Sequence, residues 1–387
     1  MPRALSAALA RRGIVVPFPI QAAALPDALA GRDVLGRGRT GSGKTVAFAV
    51  PIVAALSSSA LRPGPKRPRA LVLVPTRELA SQVAETLTPL AAAVGLRVAT
   101  VFGGVGQDPQ VGALRRGVDV VVACPGRLED LIGQGHCILD RVEVTVLDEA
   151  DHMADLGFLP GVRRILDRTP PGSQRLLFSA TLDNGVDVIV RRYLRDPVTH
   201  SVDLPDAMVP TLVHHVLAVA SAHKAVVVRE LAAGRGRSLL FTRTKHGARK
   251  LAHQLSVAGI PAGELHSNLS QAARARSLAA FASGSTRVLV ATDIAARGIH
   301  VDDIALVVHV DPPAEHKAFL HRSGRTGRAG ADGVVVTLAT PDQEGDVRAL
   351  ARKAGVKALT ARVVPGDARV ADLAGPRAPL VPLAAQP

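Results

Sequence analysis

Tryptophan is absent from this chain, tyrosine occurs once, and aromatic residues together make up 2% of it. Such a composition excludes a nucleic-acid interface built on stacked aromatic platforms and leaves contacts to backbone phosphates as the alternative. Cysteine is nearly as scarce: Cys124 and Cys137 stand apart, neither in a C-x-x-C pair. Two such thiols make no disulfide framework and no zinc pattern, so the expected setting is the reducing cytoplasm. Long apolar runs are missing as well. The run Val46 to Leu56 contains Pro51 and falls far short of the roughly 20 residues that a membrane-spanning helix needs. Met1 to Arg12 carries arginines and only short apolar pieces, which is not the pattern of a signal peptide. No membrane partner is expected.

What the chain does have is length, apolar residues and positive charge. Its 387 residues, 47% of them apolar, suit about two domains, each with its own core. Lysine and arginine number 47 against 33 acidic residues, a net charge of +14. That excess suits a polyanionic partner, nucleic acid first and an anionic membrane surface second.

From Gly38 to Thr45 the sequence reads G-R-T-G-S-G-K-T, the spacing of a phosphate-binding P-loop. Its glycines let the backbone turn tightly and aim N–H groups inward, and the following helix adds partial positive charge at its N-terminus. Thr40, Gly41, Ser42, Gly43, Lys44 and Thr45 are therefore candidate nucleotide ligands, with Lys44 reaching the β- and γ-phosphates and the Thr45 hydroxyl holding Mg²⁺. A short strand at Asp33 to Leu35 before the loop and an apolar helix after it place the motif in its proper context.

Around the loop, β-branched runs alternate with helix-length segments. Ala70 to Val74, Arg97 to Phe102, Val118 to Ala123, Val142 to Leu147 and Arg175 to Phe178 read as buried strands, with a helix over Arg77 to Val94. The alternation predicts an α/β fold with a parallel sheet whose ligands sit at the carboxyl ends of the strands. Ser57 to Arg69 reads as a basic, proline-rich surface loop. Prolines and turn formers from Asp196 to Pro210 mark a domain boundary, after which the alternation restarts. Val213 to Val219, Ser238 to Phe241, Val288 to Ala291, Ala305 to Val310 and Val334 to Leu338 read as strands, and Lys245 to Ala258 and Gln271 to Phe281 as helices. The expected organisation is a first domain over 1–203, a flexible linker over 204–212, a second domain over 213–362 and a mobile Ala-, Pro- and Arg-rich tail over 363–387.

Asp148-Glu149-Ala150-Asp151 follows the strand Val142 to Leu147 directly, so Asp148 and Glu149 fall at a carboxyl end, where a metal and a base are needed. Asp148 is the candidate Mg²⁺ ligand, and Glu149 is the group to polarise an attacking water. Ser179-Ala180-Thr181 also follows a strand and offers hydroxyls to couple the triphosphate state to domain movement. Near the end of the second domain, H-R-S-G-R-T-G-R from His321 to Arg328 sets three arginines at intervals of three among glycines. These can supply charge where it develops in a phosphoryl-transfer transition state.

Together with these, P-F-P-I-Q at Pro17 to Gln21, P-T-R-E-L at Pro75 to Leu79, Gly103-Gly104, Pro125-Gly126-Arg127, Phe241-Thr242-Arg243 and A-T-D-I-A-A-R-G at Ala291 to Gly298 occur in one order. In that order the chain closely resembles the DEAD-box ATP-dependent RNA helicases of helicase superfamily 2, in their bacterial form, over about Gly13 to Gly330. The resemblance implies two tandem RecA-like parallel-sheet domains joined by a flexible linker, with ATP hydrolysed where the two meet. It implies that Gln21 reads the adenine edge, that Arg325 and Arg328 are arginine fingers, and that Lys44, Asp148 and Glu149 serve catalysis. It places Pro75, Thr76, Arg77, Gly104, Pro125, Gly126, Arg127 and Thr292 along an RNA groove, contacting mostly sugar and phosphate, which carry little sequence information. It gives Ser179, Thr181, Gly298 and His321 coupling roles. The expected activity is ATP-dependent local unwinding of short RNA duplexes or remodelling of RNA–protein complexes, by a monomer, with ribosomal or RNA-decay proteins as partners.

Three positions depart from the family pattern. Ala4 stands where the family places a phenylalanine that stacks on adenine, implying a weaker adenine preference. Cys124 replaces the common threonine before Pro-Gly-Arg, which weakens one RNA contact. His300 replaces an aspartate, which implies a lost contact to the nucleotide ribose. An ATP-gated RNA clamp with negligible turnover and a DNA translocase are the competing readings; intact Glu149, Arg325 and Arg328 speak against the first, and the D-E-A-D tetrad and Gln21 against the second.

Overall fold

The computed structural model describes residues 2–38, 42–182, 184–202, 212–296, 301, 303–327 and 333–383. The chain divides into two compact units, 1–203 and 204–387. Each contains a seven-stranded sheet in which every pairing is parallel.

The first sheet is built from β1 (Val34–Arg37), β2 (Ala70–Leu73), β3 (Val98–Val101), β4 (Val120–Ala123), β5 (Val144–Asp148), β6 (Gln174–Ser179) and β7 (Val198–Ser201), in the order β3-β4-β2-β5-β6-β1-β7. Its inner strands are apolar at almost every position because both faces are covered. Ala70, Val72 and Val74 join one core with the helices Lys44–Ser58 and Arg77–Ala92, while Leu71 and Leu73 join a second core on the opposite face. The expected surface loop over Ser57 to Arg69 ends, contrary to expectation, in a fully buried side chain. Arg69 donates to Asp119 Oδ1 at 3.0 Å, Glu143 Oε1 at 3.0 Å and the Leu56 carbonyl at 2.7 Å, so its charge is matched and the amino ends of β2, β4 and β5 are tied together.

The second sheet is built from β8 (Leu212–Ala218), β9 (Arg237–Phe241), β10 (Ala262–Leu265), β11 (Val288–Ala291), β12 (Ile304–His309), β13 (Gly333–Ala339) and β14 (Ala358–Arg362), in the order β10-β11-β9-β12-β13-β8-β14. Here too successive residues alternate between two cores: Leu240, Val290 and Val308 face one way, and Leu239, Leu289 and Val307 the other.

The segment expected to be a mobile tail is held in place over its described part. Val363 and Val370 are buried in the core of the second unit, and a helix spans Ala368–Ala374. Beyond it the backbone is pinned by Arg235 N to the Pro376 carbonyl at 2.8 Å, Ala378 N to Ala233 O at 2.9 Å and Val381 N to Gly259 O at 2.8 Å. Single apolar anchors and main-chain bonds secure it, and neither leaves a periodic pattern. The expected linker over 204–212 lies outside the described residues except for Leu212, which opens β8.

Candidate active site

The order of the first sheet sorts the candidate residues into two groups. β5, β6 and β1 are neighbours, and their carboxyl ends carry Asp148 and Glu149, then Ser179 and Thr181, then the P-loop. β3, β4 and β2 are also neighbours, and theirs carry Gly104, then Pro125, Gly126 and Arg127, then Pro75, Thr76 and Arg77.

In the first group Gly38 N donates to the Ser179 carbonyl at 3.2 Å, tying the start of the P-loop to the end of β6. Gly43 caps the helix Lys44–Ser58 in the left-handed region, φ 86°. A Cβ there would come within 2.5 Å of Gln21 Nε2, so the position needs glycine for its backbone and for its neighbour. Gln21 is buried; its amide donates to Gly43 O at 2.9 Å and its Oε1 accepts from Phe18 N at 3.0 Å, which fixes the carboxamide against the loop. Lys44 is buried, with Nζ 2.8 Å from the Gly38 carbonyl, and the half-buried Thr45 follows it on the helix. Ser42 Oγ is buried with no hydrogen-bond partner among the described residues. An orphaned hydroxyl and a buried ammonium in a glycine loop suit the oxygens of a phosphate.

Asp148 is 3% exposed, and burial pushes its carboxyl up to about 7, with Lys44 opposing the shift and Glu149 adding to it. A cation beside it would restore the anion, which fits the role of a Mg²⁺ ligand. Among the described residues no cluster of three or more histidine, cysteine or acidic side chains could hold a metal. Glu149 occupies the left-handed region at φ 53°, strained for a residue with a Cβ, and its Oε2 lies 2.6 Å from His152 Nδ1.

Asp151 and His152 have structural roles that the sequence reading did not assign. Asp151 Oδ2 accepts from Thr181 N at 3.0 Å and Thr181 Oγ1 at 3.2 Å, while Asp151 N donates to Ser179 Oγ at 3.2 Å. Ser179 Oγ in turn donates to the Thr181 carbonyl at 2.7 Å. The end of β6 is thereby hydrogen-bonded to the helix Ala150–Asp155 that follows Glu149. Two hydroxyls after one strand and a third acid after the next were the available signal.

In the second group Thr76 caps the helix Arg77–Ala92, its hydroxyl accepting from Leu79 N at 3.2 Å. Gly104 has φ 78°, and a Cβ there would lie 2.0 Å from Arg77 Nη1. Arg127 Nη1 donates to the Val105 carbonyl at 3.2 Å. One glycine-bearing loop therefore receives two guanidinium groups, the arrangement expected of a surface for backbone phosphates. Cys124 is the N-cap of the helix Pro125–Gly133 and makes no capping bond; burial, with Glu78 adding, pushes its thiol up to about 12. Gly104→Ala is expected to displace Arg77 and weaken single-stranded RNA binding about tenfold while leaving nucleotide binding unchanged, as checked by fluorescence anisotropy with labelled RNA and with labelled nucleotide.

Thr292, His321 and Arg325 belong to the second unit. Thr292 follows β11, with its N–H donating to Leu265 O at 3.1 Å. Arg325 is buried, Nε donating to the His321 carbonyl at 3.2 Å. Arg322 ties this segment down: Nη2 to Asp293 Oδ2 at 2.7 Å, Nη1 to the Asp311 carbonyl at 2.7 Å, and the guanidinium 5.1 Å from the Phe241 ring centre. Thr40, Gly41, Gly298, His300 and Arg328 lie outside the described residues.

Beneath the helix His316–Ser323, Phe319 packs between His309 at 5.0 Å and His214 at 5.5 Å. Burial holds His309 well below the usual imidazole range, with Arg322 and His214 lowering it further. The folded chain keeps this ring neutral where the unfolded chain takes up a proton. Its contribution to stability is therefore complete above about pH 6.5 and falls by up to about 1.4 kcal/mol per pH unit below it. Urea denaturation at several pH values should show that slope, and His309→Gln should remove about one proton's worth of it.

The DEAD/DEAH box helicase family matches residues 18–189, and the helicase conserved C-terminal domain matches residues 222–330. The chain is 40% identical over 349 residues to the ATP-dependent RNA helicase RhlB of Pseudomonas syringae, covering 88% of this chain and 87% of that protein. It is 39% identical over 350 residues to DEAD-box ATP-dependent RNA helicase 30 of Arabidopsis thaliana, covering 89% of this chain and 59% of that protein. The chain spans about half the length of the plant relatives it matches, from 48% to 59%. Among solved structures, Saccharomyces cerevisiae Dbp5 bound to RNA and ADP BeF3 is similar with a TM-score of 0.81 at 26% identity, covering 97% of this chain and 98% of that one. The two parallel-sheet units thus have the RecA-like fold of such helicases.

Proposed function

The chain belongs to the DEAD/DEAH box helicase family, and we propose that it is an RNA-dependent ATPase that locally unwinds short RNA duplexes or remodels RNA–protein complexes. The observation that supports this most is the order of the first sheet. It sets Asp148, Glu149, Ser179 and the P-loop residues Ser42 to Thr45 at the carboxyl ends of β5, β6 and β1, beside Pro75 to Arg77, Gly104 and Pro125 to Arg127 at those of β2, β3 and β4. A change at the triphosphate therefore has a short path to a bound RNA strand.

In this reading Gly43, Lys44 and Ser42 hold the phosphates, and Gln21 faces the base. Thr45 and Asp148 would hold Mg²⁺, which when bound neutralises charge on the β- and γ-phosphates. Glu149 orients the attacking water and takes its proton, with His152 positioning the carboxylate. Arg325 and Arg328 carry the positive charge that the transferring phosphoryl group needs, as the family resemblance implies. Asp151, Ser179 and Thr181 pass the change onward, and Pro75 to Arg77, Gly104, Pro125 to Arg127 and Thr292 hold the sugar–phosphate backbone. Two free thiols are in keeping with cytoplasmic residence, and no helix among the described residues is long and apolar enough to cross a membrane. A monomer working with ribosomal or RNA-decay proteins completes the proposal.

Duplex unwinding with RNA and DNA substrates of matched sequence tests it. ATP-dependent separation of the RNA duplex alone is the expected result. Equal or better separation of the DNA duplex would replace it with a DNA translocase.

A further inference from the structure

Between Glu230 and Asp293 the sequence holds a single carboxylate, Glu264, against nine arginines and lysines. Four of the nine are engaged in the fold. Arg235 donates to the Arg377 carbonyl, Arg237 to Asp303 and the Ala282 carbonyl, buried Arg274 to the His266 and Ala295 carbonyls, and Arg287 to the Pro379 carbonyl. The other five, Arg243, Lys245, Arg249, Lys250 and Arg276, are exposed, and none forms an ion pair among the described residues.

Three of these five, Lys245, Arg249 and Lys250, lie along one helix. On the helix Lys245–Val257, Ala248, Ala252 and Leu255 turn into the core, while His246, Arg249, Lys250 and His253 are exposed. Spacings of three and four put these side chains on one face, in a stripe about 10 Å long. Phe241, Ala291 and Leu265 are in register at the carboxyl ends of β9, β11 and β10. At that level Thr292 N meets Leu265 O, and Lys245 Nζ donates to Asn268 Oδ1 at 3.1 Å. The stripe therefore starts at the strand ends where Thr292 stands and leads away from them along the helix.

A merely solvated helix face mixes charges of both signs, because like charges four apart weaken the helix. Lys245 and Arg249 are such a pair, and neither this helix nor the next, Gln271–Ser283, contains an acid to offset it. Glu264 is drawn to His266, at 3.3 Å. Cations that converge on one point suit a free anion, whereas cations in a row suit a chain of phosphates. We propose that an RNA strand held at Thr292 continues over this helix face, its phosphates neutralised by Arg249 and Lys250, with the His246 and His253 imidazoles as further hydrogen-bonding groups. This rests on the RNA-dependent reading above and extends the RNA footprint beyond the groove.

The test compares wild type with Arg249→Gln/Lys250→Gln on a short oligouridylate, about 6 nucleotides, and a long one, about 20, a range that brackets typical single-strand sites. On the long strand the variant should lose about 1.4 from the slope of log K against log salt. Between 50 and 200 mM salt the wild type would then lose about sevenfold more affinity than the variant. On the short strand the two should agree in slope and in ATPase stimulation. Equal slopes on the long strand, or equal losses on both strands, would overturn the extension while leaving the RNA-dependent reading intact. Failure of any RNA to stimulate ATP hydrolysis by the wild type would instead overturn that reading.

Discussion

Glu149→Gln is expected to lower kcat for ATP hydrolysis by about 10²- to 10⁴-fold while nucleotide and RNA still bind. The carboxamide keeps the size of the carboxylate but cannot accept the proton of an attacking water. The groups assigned to nucleotide binding, Lys44, Ser42 and Gln21, lie on other elements and are unchanged. Because hydrolysis is what resets the RNA grip in this account, the variant should also hold single-stranded RNA far longer in the presence of ATP. Single-turnover hydrolysis and RNA dissociation rates check the two halves separately. Near-normal turnover would remove Glu149 from its assigned role and leave its left-handed backbone without a catalytic reason.

Lys44→Ala is expected to cost about 10²- to 10³-fold in turnover, the loss typical of removing one preorganised charge from a developing anion. A second consequence follows from its neighbour. Lys44 is the group that opposes the effect of burial on Asp148, whose carboxyl already stands at about 7. Without the ammonium that carboxyl rises further, so at neutral pH a metal has to displace a proton there more often than in the wild type. The residual activity should therefore climb with pH over a higher range than that of the wild type, as a pH–rate profile would show. A uniform loss with an unshifted profile would mean that Lys44 acts on the phosphates alone.

Most strands visible in the sequence were those buried on both faces, and the edge strand β3 was visible through its β-branched residues. β2, β4 and β11 are apolar throughout, and β5 and β9 over most of their length, because a core lies on either side. The three strands not anticipated, β7, β10 and β14, all lie at sheet edges. Val198–Ser201, Ala262–Leu265 and Ala358–Arg362 are half open to solvent, so they need no apolar run and have none. At the site, phosphate chemistry is legible because it requires particular residues at fixed spacing, as in Gly38 to Thr45. What was not legible depends on side chains from distant segments meeting: Asp151 with Thr181, Arg77 with Gly104, and Arg322 with Asp293 and Phe241. The fixing of Gln21 against Gly43 belongs to the same class, since no local pattern links positions 22 apart.

The measurement that bears most directly on the central claim is steady-state ATP hydrolysis with and without single-stranded RNA, with single-stranded DNA of the same sequence as competitor. The account predicts turnover that is low alone, strongly stimulated by RNA and untouched by DNA. Binding of ATP and RNA without turnover, or equal stimulation by DNA, would contradict it.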